Sequence, residues 1–143
     1  AQVTLAQWLE SQGDAEAGLA LLTDSVKAHP QGALLQHALG LALIRRGLRE
    51  EALQAFTKAV ALEPDNGQYA YVLAIALHDA GQTDLARKTL GDLLTKQPTQ
   101  RDARLALISY AQQAQDMEQI QQLLGELQAI NPDDPLLQKQ PQR

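Results

Sequence analysis

The sequence predicts an all-α solenoid: four helix–turn–helix units in a row, closed by a short C-terminal helix. Three observations lead there. Prolines recur at one interval, with Pro30, Pro64, Pro98 and Pro132 each 34 residues after the last. A turn signal stands near the middle of every interval, in "SQGDAE", "RRGLRE", "DAGQTD" and "QAQDME", where Gly13, Gly47 and Gly81 fall in register and Gln115 takes the same place in the fourth. The composition is helical as well: Ala, Leu and Gln dominate the 143 residues, aromatics make up 3%, and β-branched residues are sparse.

Each unit therefore reads as helix, tight turn, helix and proline-marked turn. Glycine supplies the left-handed backbone that ends the first helix, and proline stops the second from being extended backwards by the next. The units are expected at about 1–32, 33–66, 67–100 and 101–134, with a closing helix and tail over 134–143, all in a single domain 1–143. Asp14, Thr83 and Asp116 follow the turns and are expected to N-cap the second helices. His29, just before Pro30, sits where a helix C-terminus favours partial positive charge. Asp134-Pro135 makes a good start for a short fifth helix, whose Leu136 and Leu137 are expected to cover the exposed side of the last unit. Pro141 should cut that helix short and leave the last residues frayed.

Aligning the units on their prolines brings other positions into agreement. The second has Leu39-Gly40, Ala52, Phe56, Ala59 and Pro64; the third has Leu73-Ala74, Ala86, Leu90, Leu93 and Pro98. The first, shorter by about two residues, has Leu5-Ala6, Gly18, Leu22, Ser25 and Pro30. This pattern of large–small, then small–bulky–small, then proline, on a 34-residue period, resembles the tetratricopeptide repeat (TPR). The resemblance implies a right-handed superhelix with first helices on the concave side and second helices on the convex side. Gly40, Ala52 and Ala59 should then mark the helix crossing, where short side chains let backbones approach. The fourth unit departs with Ile108, Ile120 and Leu127, all large, so its helices are expected to cross further apart or at another angle, as terminal repeats do. Trp8 matches Ala42, Ala76 and Tyr110, which puts bulky rings in the outer units, and Trp8 and Tyr110 are expected to pack the ends.

Nothing in the chain points to catalysis. The net charge of −5 gives no electrostatic reason to expect nucleic acid or an anionic membrane. Arg45, Arg46 and Arg49 have Glu50 and Glu51 beside them and read as a solvated helix end rather than a patch for an acidic partner. With no cysteine, disulfides, thiolate metal sites and cysteine nucleophiles are excluded. No apolar run approaches the roughly 18–20 residues of a membrane span and no signal peptide is visible, so direct membrane insertion is not expected. A soluble protein of either periplasm or cytoplasm fits. The chain starts at Ala1 and its one methionine is Met117, so it is expected to be a processed product or a piece of a longer protein. The histidines are His29, His37 and His78, none at the spacing His-x-x-x-His. His37 and His78 are offset by two helical turns, on the order of 10 Å, which is too far for one metal ion. No serine has a nearby base, no glycine-rich loop opens a helix and no haem-attachment motif occurs. Asp133 and Asp134 read as a helix cap rather than a cation site. No catalytic, cofactor-binding or metal residue is expected, and no cofactor.

The stretch "YAYVLAIALHDAG", residues 69–81, raises the functional question. Tyr69, Leu73 and Leu77 form one line along a helix; Tyr71, Ile75 and His78 form another, turned away from it. The TPR resemblance implies that four places in each first helix line the groove. They are Leu34, His37, Leu41 and Ile44 in the second unit, Gln68, Tyr71, Ile75 and His78 in the third, and Asp102, Leu105, Ser109 and Gln112 in the fourth. Leu41, Ile75, Tyr71 and Leu105 would then make an apolar strip with a His, Gln and Asp rim, of the kind that marks a contact surface. The alternative is that the repeats curl tightly and bury these residues against each other.

The expected partner is a protein or peptide, laid as an extended or helical segment across the first helices. A neighbouring domain of the same parent chain, or a second copy in a homodimer, fits the same description. One TPR branch grips chaperone C-termini with Lys and Asn at places held here by Val3, Gln7, Ala38, Gln68 and Val72, and only the glutamines match loosely, so that role is not expected. The stretches "LQHALGLALIRRGLREEALQAF" and "PDNGQYAYVLAIALHDAGQ" also resemble repeat regions attached to bacterial multihaem (doubled Cys-x-x-Cys-His) cytochrome-like proteins. That resemblance implies an alternative: the non-haem arm of an extracytoplasmic redox protein.

Overall fold

The computed structural model describes residues 2–138; Ala1 and the tail 139–143, including Pro141 and the expected fraying, lie outside the described residues. The described chain is helical throughout and forms four antiparallel hairpins: α1 (Gln2–Ser11) with α2 (Ala15–Ala28), α3 (Ala33–Arg45) with α4 (Arg49–Leu62), α5 (Gly67–Asp79) with α6 (Thr83–Lys96), and α7 (Arg101–Gln113) with α8 (Met117–Ile130). The short α9 (Pro135–Gln138) follows. Each second helix also packs on the first helix of the next unit, which makes the stack a right-handed α-solenoid.

The turns inside the hairpins share one geometry. Gly13, Gly47 and Gly81 have φ of +85°, +77° and +84°, and Gln115 adopts φ +55° in the fourth unit. The next residue's N–H then reaches back five positions, from Asp14 to Leu9, Leu48 to Leu43, Gln82 to Leu77 and Asp116 to Ala111, at 2.8–2.9 Å. This is the Schellman closure of a helix end. A Cβ at any of the three glycines would meet nothing within 4 Å, so backbone conformation rather than space selects glycine there.

Two of the three expected caps form. Asp14 accepts from the Ala17 N–H at 3.0 Å, and Asp116 from the Gln119 N–H at 3.1 Å. Thr83 does not cap: Gln82 holds the cap position without a side-chain bond, and the Thr83 Oγ1 lies 3.1 Å from His78 Nδ1 instead. Asn66 caps α5 through the Tyr69 N–H at 3.2 Å.

In the second unit the crossing is built around an absent side chain. A Cβ on Gly40 would lie 2.5 Å from Phe56 Cδ1 and 2.9 Å from its Cζ, so the ring fills the space a methyl would need. Ala52 is fully buried in the same cluster as Phe56, and Ala59 is fully buried with Ala33 and Tyr69. In the fourth unit Ile108, Ile120 and Leu127 are buried at the matching places, and α7 and α8 approach each other at fewer points than the other hairpins do. The large side chains hold these helices apart, as their size implies.

Trp8 departs from expectation. Tyr110 is buried and stacks on the His78 ring at 3.9 Å and 16°, whereas Trp8 is 55% exposed and its neighbour Leu5 48%. Tyr110 has α5 of the preceding unit to pack on; α1 has no described unit before it. The arginine cluster also differs from the sequence reading. Arg45 donates to both Glu10 oxygens at 2.8 and 2.9 Å, and Arg46 to Glu16 at 3.0 Å, so their partners come from the first unit rather than from Glu50 and Glu51. Such half-exposed pairs fix register more than they add stability, at about 0–1 kcal/mol each.

At the other end, Asp134 accepts from Arg101 at 3.0 and 2.8 Å and from the Leu136 N–H at 2.9 Å. These bonds, the Arg101 guanidinium first, hold its carboxyl down at about 2. Leu136 packs on the main core, and Leu137 is half-buried, so α9 covers the last unit as a closing helix.

Candidate partner-binding face

The first helices α3, α5 and α7 repeat one another at 34 residues, and the twelve positions fall on them in four rows. Leu34, Gln68 and Asp102 form the outermost row, all exposed. Ile44, His78 and Gln112 form the row at the opposite end of these helices, with Ile44 and Gln112 exposed and His78 half-buried. Between them lie Leu41, Ile75 and Ser109, and then His37, Tyr71 and Leu105.

Five of those six inner residues are half-buried. Leu41, Tyr71 and Ile75 pack one flank against the main core and leave the other in solvent. In α5 the two lines of the opening stretch thus separate: Tyr69, Leu73 and Leu77 are buried, while Tyr71, Ile75 and His78 are only partly so. The strip is neither free surface nor sealed core. It is apolar in the second unit, mixed in the third and mostly polar in the fourth.

His37 is the correction. Its ring is buried, stacked on Tyr69 at 4.5 Å and 25° and tilted against Phe56 at 5.5 Å, so it joins the second and third units rather than facing a partner. Its Nδ1 is buried without a hydrogen-bond partner among the described residues, and burial pushes its pKa below 6.5. The sign follows from linkage: the folded protein keeps His37 neutral while the unfolded chain takes up a proton below 6.5. Stability should be full above that value and fall as pH drops through it, levelling once the folded ring itself protonates. Urea unfolding at pH 7.5 and 5.5 tests this, with the acid loss expected to be smaller in His37→Gln than in wild type. Equal losses in both would show that His37 does not carry the effect.

Tyr110 belongs beside this face although the sequence reading placed it only as an end residue. Burial first, then the charges of Asp79 and Tyr71, push its phenol pKa up. His78 is committed to it: one ring face stacks on Tyr110, and Nδ1 meets Thr83.

Clefts lie elsewhere. One of about 590 Å³ opens between α6, α7 and α8, bordered by Leu94, Leu107, Leu123 and Ile130, and another of about 400 Å³ lies between α4 and α6. None of the twelve positions lines either. The first contains a residue that sequence reading passed over. Arg104 is 2% exposed and donates to the Pro98 carbonyl at 3.0 Å, the Leu123 carbonyl at 3.1 Å and Glu126 Oε1 at 2.9 Å. Register held the clue, since Arg104 matches Gln36 and Ala70, both buried. Among the described residues no three His, Asp or Glu side chains are grouped to hold a metal ion, and no helix is long and apolar enough to cross a membrane.

With this geometry in hand, comparison with known proteins is informative. The sequence model of the tetratricopeptide repeat family matches residues 3–67 and, one unit along, 37–101. Among solved structures, a MamA protein superposes with a TM-score of 0.79 at 14% identity, over 99% of this chain and 78% of that one. A tetratricopeptide repeat protein from Parabacteroides merdae ATCC 43184 gives 0.76 at 15% identity, over 95% of this chain and 53% of that one. The first TPR of Spaghetti (RPAP3), bound to the HSP90 peptide SRMEEVD, gives 0.68 at 18% identity, over 79% of this chain and 92% of that one. At such identities the likeness is one of fold. No curated protein matches by sequence, and the resemblance to multihaem proteins gains no support from these matches.

Proposed function

Because the chain belongs to the tetratricopeptide repeat family, we propose that it is a non-enzymatic scaffold that binds a protein segment across its first helices. One observation carries this reading: Leu41 with Ile75, and Tyr71 with Leu105, stand half-exposed in two adjacent rows of equivalent places on successive helices. Leu41, Tyr71 and Ile75, already held on one flank by the core, lose little conformational freedom when a partner covers the other. Leu34 and Ile44 extend the apolar part at the second unit, whereas Gln68, His78, Asp102, Ser109 and Gln112 supply hydrogen-bonding groups toward the fourth. The fitting segment is therefore apolar where it crosses α3 and α5, and carries donors or a positive charge where it meets Asp102 on α7. Spaghetti, with its bound peptide, supports the idea that a stack of this size suffices for one short segment. The residues at the chaperone-clamp places, Val3, Gln7, Ala38, Gln68 and Val72, argue for a different peptide here.

The test joins stability to binding. Tyr71→Ser with Ile75→Ser should cost only about 1–2 kcal/mol per site, at the low end of core truncations, because half of each side chain is in water already. A random peptide array probed with wild type should select segments with apolar residues followed by basic ones, and the double variant should lose them. A loss of several kcal/mol per site in urea unfolding would make the strip core and end this reading.

A further inference from the structure

At the joint between the second and third units the buried apolar residues fall into separate clusters. Ala33 at the start of α3, Ala59 in the last turn of α4 and Tyr69 near the start of α5 form a small cluster of their own, while Phe56 belongs to the main core. Val60, half-buried, packs on both. His37 bridges them as well, stacked on Tyr69 at 4.5 Å and tilted against Phe56 at 5.5 Å. A polar ring thus fills a slot between two apolar clusters, and its Nδ1 is buried there without a partner among the described residues. His78 makes a similar stack on Tyr110 one unit along, but its Nδ1 has Thr83 Oγ1 at 3.1 Å. That oxygen can accept from a protonated ring, so a charge on His78 keeps a hydrogen bond, whereas a charge on His37 strands a donor.

We infer that His37 is an acid-sensitive latch on this joint: when the ring takes up a proton it leaves the slot between Phe56 and Tyr69, and the small cluster opens while the main core stays closed. Neutral, the ring leaves one lone pair unmet at Nδ1. Protonated, it buries a charge and an unpaired N–H, which costs far more, and attraction to the Tyr69 face offsets only part of that. The ring faces Phe56 from α4 and Tyr69 from α5. Of these the Tyr69 phenol titrates, and burial, then Glu63 at the end of α4, hold it above its usual value. The charged residues of the packed helices, Asp24 and Lys27 on α2 and Glu51 and Lys58 on α4 among them, do not shift His37; burial alone lowers it. The opening is local because Ala86, Leu90 and Leu107 of the main core lie beyond the slot, on α6 and α7, and stay packed when the ring departs. Leu34 and Gln68, the outermost row of the strip on α3 and α5, adjoin Ala33 and Tyr69 in the chain. Acid therefore loosens that end of the strip, a consequence that rests on the function proposed above.

The chain has no cysteine, so one introduced thiol reports on one place. Labelling of Ala59→Cys by dithiodipyridine, a neutral disulfide, is measured from pH 7.5 to 5.0 and normalised to the exposed Met117→Cys. The normalised rate should rise below pH 6.5 by up to about tenfold per unit, the limit for one proton taken up on opening. It should be nearly independent of low urea, and faster at every pH than labelling of Ala86→Cys in the main core, which waits for global unfolding. The rise should vanish in His37→Phe, or in His37→Gln if the larger ring does not fit. Ala33→Cys repeats the measurement should the first thiol disturb the fold. A rate that ignores pH, a rise that persists without His37, or equal urea-sensitive rates at both thiols would each overturn the latch. No partner takes part, so a latch that fails leaves the binding strip standing, and a strip that binds nothing leaves the latch.

Discussion

Phe56→Ala is expected to remove about 3–5 kcal/mol of folding free energy, out of the roughly 5–15 kcal/mol typical of a whole domain. The ring is 1% exposed and lies over Gly40, with His37 tilted against it at 5.5 Å. Truncation therefore opens a hole that no neighbour can close: glycine has no side chain to move in, and His37 is held by its stack on Tyr69. The cost includes the cavity as well as the lost burial. The reciprocal change fails for the opposite reason. Gly40→Ala gains up to about 1 kcal/mol in helix propensity, but its methyl meets the ring edge, and overpacking of about 1–3 kcal/mol outweighs the gain. Adding Phe56→Leu to Gly40→Ala should return part of the loss, so the two sites are coupled rather than additive. Urea unfolding followed by circular dichroism measures all three variants. A loss below about 1 kcal/mol for Phe56→Ala would mean that the hairpin does not depend on this contact.

Gly40 and Phe56 were legible from sequence because both obey the period. So were the glycine turns, the caps at Asp14 and Asp116, and the start of the closing helix at Asp134, all of which depend on local chemistry. What a period cannot state is how a place responds to its neighbour in the next unit. His37, Tyr71 and Leu105 share one place, yet only His37 is buried. The residue 32 positions on explains this: His37 meets Tyr69, whose ring stacks on it, whereas the counterpart for Tyr71 is Ala103, too small to cover it. Trp8 shows the same limit: its place is regular, yet it is exposed among the described residues. The pairing of Arg45 and Arg46 with Glu10 and Glu16 spans 35 and 30 residues, so charges adjacent in sequence were the wrong partners to consider. For the proposed binding strip, the rows were legible and the depth of each side chain was not.

Arg104→Ala is expected to cost about 2–4 kcal/mol, although the obvious ion pair contributes little of it. Glu126 is 43% exposed at the side chain, and a pair with one carboxylate in water is worth about 0–1 kcal/mol. The larger share comes from the guanidinium's bonds to the Pro98 and Leu123 carbonyls and from the buried stem of the side chain. Those carbonyls belong to the turn before α7 and to the middle of α8, so Arg104 ties together two segments that Ile108, Ile120 and Leu127 keep from closer contact. Removing it takes the guanidinium donor away from both carbonyls and widens the cleft that Leu94, Leu107, Leu123 and Ile130 border. Three variants separate the contributions. Glu126→Gln should change stability by less than about 1 kcal/mol, and Arg104→Met, which keeps the volume but not the donors, should fall between it and Arg104→Ala. If Glu126→Gln costs as much as Arg104→Ala, the ion pair holds the fourth unit and the carbonyl account is wrong. If all three are near neutral, the large residues at the α7–α8 crossing suffice to hold that unit without the arginine.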